Sequence, residues 1–440
     1  MACSFKLFGI LWGKSSIAAL AAVAATGAYA QSTVELYGRA EVTTEVGYKQ
    51  TRTSNTTTAA GVVTSNAATV NTFPVAIGVF PTAGVAAGTS KPQLTVQDGN
   101  TVGDGSSRFG LRGTEDLGGG LKAVFQFEAG VNIDDGSSGN GGGNLFSRTA
   151  MVGLEGGFGR VTAGRQVNPA FGVQAAGQAM GTMNNYLDGA AIVMPNAGGV
   201  RSSSSVMYTT PNFNGFTATG LYAAAEDKGT ARAGANVVTT NSKPGYSLGL
   251  NYASGPLYLG FGYDARKVST STSVFATGAA VSNGDQKTGQ WVLSAAYDLG
   301  VVKPFFSYTE QKIDASALNG VGLPAGTTTA GGKEKAWTLG LTAPVGAGLA
   351  FAEYGNSKTG SIYANNTNAG VATNLMAGQN ASGKETALSV GYRYSMSKRT
   401  FVQAAYGTYK QTATWVDAGV DTSVDTLKRS GLALTLSHNF

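Results

Sequence analysis

The feature that most constrains this chain is a two-residue period that begins at Ser32 and recurs to the carboxyl terminus. In STVELYGRAEVTTEVGYK, Val34, Leu36, Val42 and Val46 fall on one face, and Glu35, Arg39, Glu41, Glu45 and Lys49 on the other. Such a pattern belongs to β-strands with one apolar and one polar side. A soluble sandwich buries the apolar side, whereas a membrane barrel turns it to lipid. Alternation alone suits both.

The connections separate the two. Tight turns at GGG, GGF, PNFNG, SGP, DLG, PVGAG and SMSKR alternate with long polar stretches at 50–105, 133–145, 166–200, 226–244, 269–287, 314–333, 359–383 and 413–429. Short turns at one end and long loops at the other are the outer-membrane arrangement, and Greek-key crossings would not sort so cleanly. Five strands lie in the first section of the chain, ending at GRVTAGRQV. Eleven more fall near 201–211, 215–225, 245–254, 256–268, 288–299, 302–313, 335–344, 348–358, 384–396, 399–412 and 430–440. The expected fold is therefore all-β, a transmembrane antiparallel β-barrel of sixteen strands, an even number as in bacterial barrels.

Composition removes other classes. Residues 1–30 read as an export signal: Lys6 and Lys14 precede the apolar run IAALAAVAATGAYA, which ends in the small-x-small triplet Ala28-Tyr29-Ala30. The mature chain, 31–440, is expected to begin at Gln31 and to reach the outer membrane. The only cysteine, Cys3, leaves with the signal, so neither a disulfide nor a thiolate metal site is expected. The signal carries two lysines and no acid, which takes the net charge from +6 to +4. The basic residues are scattered singly, giving nucleic-acid binding no support. No window of eighteen apolar residues follows the signal, which excludes helical membrane spans. Glycine at 64 positions without a G-X-Y period, together with alternating aromatics, is neither collagen nor a disordered chain.

The stretch 166–200 has one charged side chain, Asp188, between Arg165 and Arg201. A loop that long inside a packed domain is usually functional, and one nearly free of charge can lie against a protein wall at little desolvation cost. It is expected to fold into the barrel and narrow a water-filled hole, with an ordinary surface loop as the competing reading. The segment from Gln50 to Gln97, with only Arg52 and Lys91 charged, fits an extended external loop, an extra hairpin at VVTSNAATV, or partial disorder. Paired aromatics near strand ends, among them Tyr246 and Tyr252, Trp291 and Tyr297, and Tyr406 and Tyr409, fit two interfacial girdles. The glycine-rich run Asp134 to Asn144 lacks the alternating oxygen ligands and closing glutamate of a calcium loop, and a solvated external loop is the preferred reading. No cofactor is expected.

The motifs VELYGRAEV, SRFGLRGTEDLGGGLKAVFQFE, SRTAMVGLEGGFGRVTAGRQ and SGLALTLSHNF resemble the general trimeric porins of Gram-negative bacteria, in particular the group found in beta-proteobacteria and Neisseria. The resemblance runs through the whole mature chain, and the size of the first long loop departs from it. It implies a sixteen-stranded barrel, three per assembly, whose third loop folds inward as an eyelet. Matched position by position, Arg39, Arg108, Arg148 and Arg201 would form a basic row on the wall, facing Asp188 in the loop and Glu128. It further implies that the terminal Phe440 is read by the barrel-assembly machinery, and that the partners are a homotrimer, outer-membrane lipid and lipopolysaccharide, and small hydrophilic solutes and ions.

Parity supports part of this independently. Phe125 and Phe127 alternate with Gln126 and Glu128, and Phe109 and Leu111 alternate with Arg108 and Arg112, so the polar members face water if the aromatics face lipid. Arg148 shares parity with Val152 and Leu154, so a rim position or a bulge competes with a luminal one. The sole histidine, His438, shares the face of Leu432, Leu434, Leu436 and Phe440, which leaves no serine–histidine pair and argues against an enzyme. Two functions follow from these residues. The first is passive diffusion of small hydrophilic solutes and ions with mild anion preference; the second is a surface adhesion protein that displays long loops on a barrel.

Overall fold

In the computed structural model sixteen strands form one antiparallel sheet closed on itself. The structure describes residues 33–57, 63–64, 88–89, 93–98, 107–139, 145–180, 199–224, 226–233, 236–242, 244–274, 280–316, 327–366, 380–417 and 421–440. The wall strands are β1 (Thr33–Thr57), β2 (Arg108–Gly118), β3 (Leu121–Val131), β4 (Thr149–Gly156), β5 (Gly159–Val167), β6 (Arg201–Thr209), β7 (Phe216–Ala223) and β8 (Gly245–Ser254). They continue with β9 (Leu257–Val274), β10 (Ala280–Tyr297), β11 (Lys303–Ser316), β12 (Thr327–Val345), β13 (Gly348–Asn366), β14 (Asn380–Ser395), β15 (Thr400–Asp417) and β16 (Asp421–Asn439). Each pairs with its neighbour in sequence, and β16 returns to β1 from Arg39↔Asn439 to Thr57↔Thr422. The ring is thereby closed and no wall strand is left as a free edge.

Which side is buried decides between barrel and sandwich. The large apolar side chains Val34, Leu36, Val152, Leu341 and Leu436 are exposed, while Glu45, Ser307, Thr338, Glu353 and Ser437, of the opposite parity, are buried. An apolar exterior around a polar interior is the arrangement of a membrane barrel. Outward-facing rings stack between neighbouring strands at Tyr222–Tyr246 (5.4 Å), Trp291–Tyr308 (5.1 Å) and Trp337–Tyr354 (5.5 Å), forming a girdle distal to the short turns. Phe216–Tyr252 (4.5 Å) lies nearer those turns. Tyr409 does not join the girdle as expected. Three residues from Tyr406, it takes the opposite parity and is buried with Ala336, Ala387 and Leu427.

The wall is taller on one side than composition implied. Strands β2 to β8 have 8 to 11 residues, whereas β9, β10 and β12 to β16 have 16 to 19. The long strands run on through parts of 269–287, 314–333, 359–383 and 413–429, which read as loops because they lack an apolar face. Beyond the lipid no apolar face is needed, and Thr-rich segments keep enough β-propensity to continue the ladder. In 226–244 a hairpin, Glu226–Ala233 and Asn236–Ser242, pairs onto β9. The first long connection is likewise partly sheet: β1 continues to Thr57, Gln93–Asp98 pairs with it between Val42 and Tyr48, and Val63–Thr64 pairs with Thr56–Thr57. The rest of the VVTSNAATV hairpin lies outside the described residues.

Candidate functional site: a luminal segment and an arginine row

After β5 the chain enters α1 (Pro169–Ala176), with Pro169 at the start of the helix, where its missing N–H costs nothing. Asn168 does not cap the helix through its side chain. It closes the base of the excursion instead: its N–H donates to Val200 O (2.9 Å) and its Nδ2 to Gly199 O (2.6 Å). Ser202 Oγ donates to Asn168 Oδ1 (2.5 Å), and Arg266, paired with Asp264 at 3.0 Å, donates to Ser202 Oγ (2.6 Å). Register is adjusted nearby by a bulge between Ser202 and Ser205. Opposite it Gly164 has φ +130°, and a Cβ there would meet Ala150 O at 2.1 Å, so only glycine fits.

Residues 168–180 lie against the inward-facing side of the wall. The N–H of Ala170 donates to Ser247 Oγ (3.1 Å) on β8, and that of Ala179 to Glu353 Oε1 (3.4 Å) on β13. Met180 packs with Phe351, Ala405 and Ala433 on β13, β15 and β16. The seat is cut from glycine. A Cβ on Gly262 would stand 2.9 Å from Ala170 Cα, and one on Gly340 2.6 Å from Ala179 Cβ. Leucine at Gly262 or Gly340 is therefore expected to lift the segment off the wall while the barrel still forms. Limited proteolysis should then cut within 169–199, and Gly220→Leu, with open space around its Cβ, should leave the cleavage pattern unchanged.

An arginine row climbs the same inner wall. Arg393 on β14 and Arg39 on β1 both stand over the ring of Phe401, at 4.1 and 5.5 Å, and Arg39 donates to Ser437 Oγ (2.9 Å) and pairs with Glu41. Arg39 faces Arg108 across the β1–β2 ladder. Arg108 lies 3.7 Å from Glu128, whose other oxygen accepts from Arg148 Nε at 2.6 Å. Tyr37 OH donates to Glu128 (3.0 Å) and accepts from Gln126 (2.6 Å). Arg165 lies outside the row, opposite Ala150 on the face of the exposed Phe127, with bonds to Ser147 O (2.6 Å) and Ser203 Oγ (2.9 Å), and Arg201 begins β6 opposite Val167.

The family model described as Gram-negative porin matches residues 16–414. The chain belongs to that family. This porin is 30% identical over 349 residues to an outer membrane porin protein of Bordetella pertussis, covering 72% of this chain and 80% of that one. It is 32% identical over 344 residues to outer membrane porin protein 32 of Delftia acidovorans, covering 76% of each. Among solved structures, the anion-selective porin from Comamonas acidovorans superposes with a TM-score of 0.55 at 24% identity, over 93% of this chain and 100% of that one. The trimer form of OmpT from Vibrio cholerae gives a TM-score of 0.52 at 14% identity, over 93% and 99%. These two establish likeness of fold. Like its relatives, this porin is a Gram-negative outer-membrane protein, and its closed barrel is a pore-forming channel.

Of the residues singled out in the sequence, the porin brings Arg39, Arg108, Arg148 and Glu128 together, and places Arg201 at the base of the luminal segment. One expectation changes, and one open reading is narrowed. Glu128 does not face the basic row; it stands within it, because β3 is sandwiched between β2 and the residues leading into β4. Arg148 is not at the rim. It precedes the first residue of β4, its N–H donates to Glu128 O (3.1 Å), and its side chain is only 4% exposed, so parity counted back from Val152 does not reach it. Asp188 lies outside the described residues. Sequence reasoning passed over Arg266, Asp264 and Arg393, although Arg266 and Asp264 share the parity opposite to Leu259 and Tyr263. In the external turn after β3, Asp135 accepts from Ser137 N–H (2.8 Å) and Oγ (2.6 Å), which holds its carboxyl below the usual range.

Proposed function

We propose that this porin is a passive diffusion channel for small hydrophilic solutes and ions, with mild anion preference and no catalytic step. The segment 166–200 is its constriction. Arg39, Arg108, Arg148 and Arg201 supply the positive side of the passage, with Glu128 moderating them from the same wall and Asp188 as the opposing charge. The observation that carries this reading is the arginine row beside an inward-folded segment: charges confined in a narrow passage are screened less than on an open surface. The fold likeness to a porin described as anion-selective supports the sign. The sole histidine, His438, is engaged by Thr400 Oγ1 at 2.8 Å near the last short turn, on the outward face of the wall with Leu434 and Leu436. Assembly as a homotrimer, removal of residues 1–30 during export and reading of Phe440 by the assembly machinery belong to the same proposal.

Planar-bilayer recording of purified protein tests it. Conductance rising in steps of three and a reversal potential displaced toward chloride are the expected outcome. A barrel that inserts yet stays sealed would favour the adhesion reading instead. Asp188→Asn should increase the chloride preference; an unchanged reversal potential would place the selectivity elsewhere.

A further inference from the structure

Beyond the aromatic girdle two buried carboxylates stand on the inner wall of the tall half. Glu334 on β12 and Glu385 on β14 are 5% and 1% exposed. Each lies three residues past a residue at girdle level, Trp337 or Leu388, and so about 10 Å further from the short turns. Their sequence neighbours Lys333, Lys335 and Lys384 take the opposite parity and are exposed on the outer face. Among the described residues no lysine or arginine pairs with either carboxylate.

Register brings the two together. On the inward face of β12, β13 and β14 one row holds Glu334, Thr359 and Gly383, and the next holds Ala336, Ser357 and Glu385. The carboxylates therefore occupy opposite corners of a patch three strands wide, with the hydroxyls of Thr359 and Ser357 between them. The remaining corners are Ala336 and Gly383, whose small size leaves the space over the hydroxyls to the glutamates. Adjacent strands are about 5 Å apart, and the two carboxylates are close enough to repel each other. The ladder is irregular on both sides of the patch, shifting between Gly331 and Glu334 and again between Thr359 and Ile362. Bulges re-aim side chains in this way and recur beside functional sites.

The patch carries an unanswered charge and an unanswered oxygen. Buried like charges without a counter-ion are strongly destabilising. Thr359, 0% exposed and directly opposite Glu334, leaves its Oγ1 without a hydrogen-bond partner, although buried polar atoms ordinarily have one. Ser357 is turned toward Glu334, and Gln411 Nε2 donates to Glu385 Oε1 (2.7 Å), bracing that carboxylate from β15.

We propose that Glu334, Ser357, Thr359 and Glu385 bind one divalent cation of the calcium type. Carboxylate and hydroxyl oxygens suit a hard cation. A set spread over three strands suits calcium, which accepts flexible geometry, better than magnesium, which demands a near-ideal octahedron. The ion neutralises the pair and ties β12, β13 and β14 together near the outer mouth. Its affinity is expected at about 0.1–1 mM, the range of extracellular calcium modules. The cation is held in place and not conducted, and the site uses no residue of the arginine row, so it stands apart from the channel reading.

Terbium(III), a luminescent stand-in for calcium, reads the site through Tyr409, which lies beside Glu385 on β15. Detergent-purified protein stripped with a chelator should show saturable tyrosine-sensitised emission that calcium reverses, and calorimetric titration with calcium alone should show the same site. Glu334→Gln/Glu385→Gln should weaken both at least tenfold. That variant removes buried repulsion and keeps side-chain shape, so the compact band on unheated electrophoresis should persist. Thr359→Val, which removes one oxygen and keeps the β-branched shape, should weaken calcium binding several-fold. Asp134→Asn/Asp135→Asn, in the external turn after β3, should leave it unchanged. Equal calcium binding by the double glutamine variant would overturn the proposal. So would a wild type that takes up no calcium, which would mean that the two glutamates share a proton instead.

Discussion

Gly38→Val is expected to leave the barrel unclosed. Gly38 sits where the chain's two ends meet: its N–H donates to Phe440 O and Phe440 N–H donates to Gly38 O, both at 3.1 Å. The Phe440 ring covers the glycine, so a Cβ there would stand 2.2 Å from Phe440 Cζ and 2.7 Å from the backbone Arg108 O of β2. The ring can swing away, but the carbonyl of a paired strand cannot, and overpacking of this kind costs about 1–3 kcal/mol. Lost with it are two hydrogen bonds of about 1 kcal/mol each. A loss of this size, about 3–5 kcal/mol together, is a large share of a typical folding free energy. On unheated electrophoresis the compact band should fall at least tenfold for Gly38→Val. Phe440→Ala alone, which keeps the backbone pair, should be milder. A wild-type amount of compact Gly38→Val would show that closure does not depend on this contact.

The second large effect concerns charge. Glu128→Gln should displace the reversal potential further toward chloride, and Arg108→Ser should displace it back. One unit charge at about 4 Å in water changes an ion's energy by about 1 kcal/mol, roughly fivefold in local concentration. Burial ranks the arginines: the Arg108 side chain is 28% exposed and Arg148 only 4%. Arg108→Ser should therefore move selectivity more than Arg148→Gln. Arg148→Gln should act mainly on stability, since it takes from Glu128 its shortest ion-pair partner. Equal shifts from the two arginine variants would mean that Arg148 is in contact with the permeating ions.

How much of this was legible in the sequence follows from what each feature depends on. The strands and their inward and outward faces were readable because period two acts locally, and GGG, GGF and SGP marked the short turns. Strand height was not, because the distal halves of β9 to β16 have no apolar face for lipid to select. Arg148 and Glu128 were found by motif, but their pairing depends on the register between β3 and the lead-in to β4, which no single strand encodes. The glycine seat at Gly262 and Gly340 was visible only as inward-parity glycines, whose purpose appears once the luminal segment is laid across them.

The bonds at Asn168 also bear on the order in which the barrel assembles. Asn168 and Gly199 are 31 residues apart, whereas Arg39 and Ser437, joined where the ring closes, are 398 apart. Loop-closure entropy makes the second contact costlier by about 2 kcal/mol, and contacts between distant residues form late. The cinch at Asn168 is therefore expected to precede closure of the ring. On that order the luminal segment is not threaded into a finished pore; the wall curls around a segment already tied at its base, and the last strand shuts it in.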